Sequence, residues 1–162
     1  MIGAKEIYDL SCYNELALQL SYQEFKERYL ASAKNDAQKM KDVKKGIKWN
    51  SSIGYLPILT SECPGWVCYA EKTIGEEAFP FMSNIKSPQQ LCAKMVKSSK
   101  LLRGENSKNI KIVTVMPCYD KKLEAVRPTM DTPNPDDQTG QSLKQIMEVD
   151  TVIATHELIE LF

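Results

Sequence analysis

Five cysteines and one histidine bound the metal and nucleophile chemistry open to this 162-residue sequence. The thiols are dispersed, at Cys12, Cys63, Cys68, Cys92 and Cys118, and the histidine is His156. A single imidazole excludes a His-rich metal site, so any metal must be held by Cys, Asp or Glu. An odd, scattered set is unlike the dense, even framework of a small secreted scaffold. The thiols are therefore expected to be free, in a reducing compartment such as the cytosol.

Two of the five stand apart. Cys63, in Thr60-Ser61-Glu62-Cys63-Pro64-Gly65-Trp66, and Cys118, in Met116-Pro117-Cys118, each touch a proline where an apolar run gives way to a helix signal. Pro64 suits a first helical position and makes Cys63 an N-cap. Helix starts favour the thiolate, the form that binds metal, so the pair suits two ligands of an iron–sulfur cluster. The sequence has no CxxC pair, however, and two inert, half-buried cysteines explain the same residues. On residue types alone both readings stand.

The remaining thiols carry less. Cys12 follows the first apolar run and is either a third thiolate or, the simpler reading, a small buried residue. Cys68 and Cys92 fall inside expected helices beside apolar neighbours and read as core. Trp49 and Trp66 read as packing residues, and His156 has no partner visible in sequence.

The elements that must position these residues alternate between strand and helix. Lys5–Leu10 reads as a short strand, and Asn14 as the cap of a helix to about Leu30 with Leu16, Leu20, Phe25 and Tyr29 at helical spacing. Tyr55–Leu59 is a second strand, leading into the helix at Pro64. Ser87 as N-cap, Pro88 at the first position and Gln90 closing a capping box start a helix to about Leu102. Ile110–Val115 is a third strand, apolar enough for burial on both faces. Asp120–Val126 is helical, Arg127–Gln141 is a Pro/Asp-rich loop, Val149–Ala154 a fourth strand, and Thr155 caps a closing helix. This order predicts an α/β fold, a parallel sheet flanked by helices. Ligands of such sheets gather at the carboxyl ends of strands, where Cys63 and Cys118 both fall.

Charge and hydropathy exclude several classes. Lys and Arg number 21 against 21 Asp and Glu, a formal net charge of zero, which argues against a general nucleic-acid binder. Five lysines within Lys39–Lys48 have only Trp49 as aromatic company and read as a solvated helix end and loop. No apolar stretch approaches about 18 residues, so no membrane span is expected. The N-terminus has no apolar core of signal-peptide length.

The motif residues add a resemblance. Thr60–Trp66, Ser87-Pro88-Gln89-Gln90 and Met116-Pro117-Cys118-Tyr119-Asp120-Lys121-Lys122-Leu123-Glu124-Ala125 together resemble the iron-only hydrogenase family, in the order of the first two signature segments of its large catalytic domain. The Cys68–Lys72 run (Cys-Tyr-Ala-Glu-Lys) and the Tyr-Asp after Cys118 are similar to its non-hydrogenase eukaryotic branch. That branch holds cytosolic iron–sulfur assembly factors and nuclear prelamin A recognition factors. The resemblance implies that Cys63 and Cys118 are two of four ligands of a buried 4Fe–4S cluster. Lys121 and Glu124 match the charged pair of the second motif, which hydrogenases use at their active site. An i,i+3 surface ion pair is the plainer account of that pair.

The departures are equally informative. The family's N-terminal ferredoxin-like cluster and C-terminal cysteine motif are not in this sequence. Glu62 stands where hydrogenases carry a proton-relaying cysteine. The resemblance therefore implies residues 1–162 as a partial hydrogenase-like domain. It would act as a cluster carrier or adaptor with protein partners of the cytosolic iron–sulfur assembly machinery, in the cytosol or nucleus, and not as an enzyme. The competing readings are a fragment of an iron-only hydrogenase and a cluster-free interaction module of the prelamin-recognition type.

Overall fold

The computed structural model describes residues 3–44, 55–106, 109–127 and 147–160, with side chains up to residue 32 in the first segment. The elements run α1 (Ser11–Lys44), α2 (Pro64–Tyr69), α3 (Pro88–Leu102), β1 (Val113–Met116), α4 (Lys121–Ala125), β2 (Thr151–Ala154) and α5 (Thr155–Glu160). The backbone divides into two units. One contains residues 1–16 and 86–162, the other residues 17–85.

The first unit holds the sheet. β1 and β2 pair in parallel, with Val113 opposite Thr151 and Met116 opposite Ala154. Side chains alternate along a strand, so Met116, Val152 and Ala154 turn inward while Val113 and Val115 stay exposed. The inner face meets Ala93 of α3, Ala125 of α4 and Val149, with Leu10 and Ile112 packed at the margin. Asp150 fixes the start of the ladder. Its carboxylate accepts from the Ile112 N–H at 2.8 Å, from Lys97 at 2.7 Å and from Lys111 at 3.1 Å. Lys97, buried in α3, also donates to the Met147 carbonyl. Burial pushes the Asp150 carboxyl up, but these donors outweigh it and hold the group below its ordinary value.

In the second unit the organiser is Arg28 of α1, whose side chain is only 1% exposed. Its guanidinium donates to the carbonyls of Tyr55 at 3.0 Å, Pro80 at 3.2 Å and Met82 at 2.7 Å. Glu24, one helical turn earlier, pairs with Arg28 at 2.6 Å and accepts from the Ser83 hydroxyl at 2.5 Å and the Asn84 N–H at 3.1 Å. One buried ion pair thus satisfies the backbone of two irregular segments.

Two of the four expected strands are absent from the described backbone. Lys5–Leu10 is irregular, and its Asp9 carboxylate takes the Ser11 N–H at 2.8 Å, so α1 starts at Ser11 and Asn14 lies inside its first turn. Tyr55–Leu59 forms only one parallel bridge, Leu59 to Met82, because Pro57, after a cis peptide bond, has no N–H for a ladder. The parallel sheet flanked by helices stands, with two strands among the described residues. α1 also overruns its expected end near Leu30. Residues 31–44 are mostly Ala, Lys, Gln, Met and other helix-compatible types, and the helical backbone follows them to Lys44. Trp49, the end of the lysine run and nearly all of the Arg127–Gln141 loop lie outside the described residues.

Candidate cluster-ligand site

Cys63 occupies the N-cap of α2 with extended backbone (φ −89°, ψ 110°), and Pro64 takes the first position. That start has a local cause: Pro64 has the helical φ already fixed and no N–H to leave unsatisfied. The Ser61 hydroxyl accepts from the Cys63 N–H at 3.1 Å, and the Cys63 carbonyl accepts from Val67 at 3.2 Å. The Cys63 side chain is exposed. After Tyr69 the chain continues as a π-helical turn through Ile74 and leaves it at Gly75, with φ +73°.

Cys118 stands two residues beyond β1, and it too is exposed. Its carbonyl accepts from the Lys121 N–H at 3.3 Å, opening the turn into α4. Lys121 and Glu124 face inward from α4. Their Nζ–Oε2 distance is 3.3 Å, and the side chains are exposed by only 9% and 8%. The expected surface ion pair is therefore a buried one. A lone charge there would cost several kcal/mol, roughly 3–5, which explains why the two occur together. Next to them, Gln89 of α3 donates to the Lys121 carbonyl at 3.4 Å and lies 3.3 Å from the Thr114 hydroxyl.

The α3 start is half of the expected capping box. The Ser87 hydroxyl accepts from the Gln90 N–H at 3.4 Å, but neither polar atom of the buried Gln90 amide has a hydrogen-bond partner, so the return bond to Ser87 is not made.

The other thiols fall into place. Cys92 is buried in α3, where burial pushes its thiol up against the lowering effect of a hydrogen bond with Tyr13. Its burial in α3 suits a packing residue. Cys68 is half-buried in α2. Cys12 is exposed in the first turn of α1, so neither a core position nor a place at the end of a strand describes it. Among the described residues, no three Cys, His, Asp or Glu side chains converge closely enough to hold a metal ion. A 4Fe–4S cluster takes four thiolates, so the described residues do not by themselves complete a cluster site.

Sequence reasoning missed a cluster beside Cys118. The Tyr119 ring meets His156 of α5 edge-on, with centroids 4.7 Å apart at 65°, and lies 5.3 Å from the Lys122 ammonium. Lys122 reaches both carboxylate oxygens of Glu157, at 2.6 and 2.8 Å. Glu157 also accepts from the Ala154 N–H at 2.8 Å. The Lys122 ammonium first, and the Ala154 N–H second, hold the Glu157 carboxyl below its ordinary value. His156 thus has a partner, and only the strand register could have revealed it.

The fold, the motif order and the two proline-flanked thiols define a hydrogenase-type domain. The chain belongs to the family of the iron only hydrogenase large subunit, C-terminal domain, whose model matches residues 1–162. Among its relatives, the Arabidopsis thaliana Protein NAR1 is 37% identical over 161 residues, which is 99% of this chain and 31% of that protein. The Xenopus tropicalis cytosolic Fe-S cluster assembly factor narfl is 39% identical over 162 residues, 99% of this chain and 28% of that protein. A solved variant of the FeFe-hydrogenase HydA1 from Chlamydomonas reinhardtii matches with a TM-score of 0.75 at 27% identity, covering 99% of this chain and 33% of that one. The chain thus spans about a third of the length of the proteins it resembles. Among the described residues, no helix is long and apolar enough to cross a membrane.

Proposed function

We propose that residues 1–162 are one portion of a hydrogenase-like iron–sulfur protein that works in cytosolic iron–sulfur protein assembly. In this reading Cys63 and Cys118 supply two of the four thiolates of a 4Fe–4S cluster. The remaining ligands come from outside the described residues. The chain carries or presents the cluster to protein partners of the assembly machinery and turns over no small substrate. The observation that carries the reading is the pair of exposed, proline-flanked thiols in the motif order of a family whose similar members are named assembly factors.

Anaerobic reconstitution with iron and sulfide is the test. The chain alone is expected to bind a substoichiometric cluster that bleaches in air, with iron content falling further in Cys63→Ser and Cys118→Ser. A stoichiometric, oxygen-resistant 4Fe–4S optical and EPR signal on this chain would overturn the two-ligand reading. Iron content unaffected by either substitution would sink the ligand assignment.

A hydrogenase reading draws on the structural likeness to HydA1. Glu62, where the resemblance expects a proton-relaying cysteine, speaks against it. Hydrogen evolution that disappears in Cys118→Ser would favour the enzyme.

A further inference from the structure

We propose that the start of α5, through His156 and Glu157, is the positioning element for the Cys118 loop. The proposal rests on the reading of Cys118 as a ligand, but its geometry stands apart from that reading. The parallel register sets Met116 opposite Ala154, so the two strands end level with each other. Beyond those ends lie Pro117-Cys118-Tyr119 on one side and Thr155-His156-Glu157 on the other.

Two contacts join the two turns, and one further contact on each side braces them. The Tyr119 ring, one residue from Cys118, abuts His156. Lys122, at the head of α4, places its ammonium over that ring, 5.3 Å from its centroid, and ends on both oxygens of Glu157. Glu157 is fixed in turn by the Ala154 N–H at the last residue of β2. The carboxylate therefore ties α4 to the sheet register, and the Tyr119 ring contacts residues of both α4 and α5. Each contact is half-exposed and individually weak. Together they restrict a segment of only a few residues, in which the exposed Cys118 stands in sequence between the last residue of β1 and the latched Tyr119.

The test reads the Cys118 loop without needing a cluster. Alkylation by iodoacetamide is followed by mass spectrometry at Cys118 and, as an internal control in the same molecule, at Cys63. In Glu157→Gln and in Lys122→Met, the Cys118 rate is expected to rise about threefold or more with the Cys63 rate unchanged; tenfold would correspond to about 1.4 kcal/mol of lost restraint. The double variant should show no further rise, since both residues serve one latch. An unchanged Cys118 rate in both single variants overturns the proposal. A parallel rise at Cys63 also overturns it, because that is general loosening. Should Glu157→Gln fold poorly by circular dichroism, His156→Ala, an exposed site that leaves the ion pair intact, carries the same test.

Failure of the ligand reading looks different. If Cys118→Ser leaves reconstituted iron unchanged, that reading falls while the alkylation result still stands on its own.

Discussion

Three charged residues show how much one position can hold in this chain. Lys121 and Glu124 neutralise each other in a nearly dry environment, so removing one is far worse than removing both. Lys121→Met is expected to destabilise the chain by about 3 kcal/mol in urea unfolding, and the double variant Lys121→Met/Glu124→Leu to recover most of that loss. Asp150 gives a different signature. Its carboxyl is held below its ordinary value when folded, so its contribution is fully present above the unfolded value of about 3.9 and is lost as pH falls through the folded one. Asp150→Asn should therefore cost about 1–3 kcal/mol at neutral pH and flatten the acid limb of the stability profile below about pH 4, measured by urea midpoints across pH.

At the scale of elements, local chemistry decides what was legible. Ser87→Ala is expected to cost about 1 kcal/mol of stability by thermal unfolding, and Ser87→Gly a few tenths, because only the hydroxyl half of the cap is made. Ser87-Pro88 and Cys63-Pro64 were readable as helix starts since a cap and a proline act within one turn. The strands β1 and β2 were readable from their β-branched apolar runs, though both proved shorter than expected. Tyr55–Leu59 carried the same apolar signal and failed, because the ladder needs an N–H that Pro57 lacks. Lys5–Leu10 failed because Asp9 was free to cap the following helix. At the site, Cys63 at the N-cap of α2 was legible, whereas Cys118 lies just past β1 and two residues before the Asp120 cap of α4, not at the helix start itself. The burial of the Lys121–Glu124 pair and the latch between Tyr119 and α5 were not legible. Both depend on which segments the sheet register brings side by side, and no local pattern encodes that.

For the whole molecule, balanced charge has a measurable meaning. With 21 residues of each sign, the chain should pass through a heparin column at physiological salt, where a nucleic-acid binder would be retained. Retention that falls with rising salt would contradict the expectation, drawn from charge balance, of no nucleic-acid partner. The sheet register has a further consequence, for the order of events in folding. Ile112 meets Asp150 across 38 positions of chain, so pairing of β1 with β2 has to wait for a long closure, whereas α1 and α3 form from neighbouring residues. During that interval β1 offers an unpaired edge with Val113 and Val115 on a side that stays uncovered even afterwards. Refolding yield should therefore drop as protein concentration rises, and Val115→Lys should restore it with little change in final stability. The same late closure brings α5 beside Tyr119, so a chain still being synthesised would present the Cys118 turn before its His156 and Glu157 contacts exist.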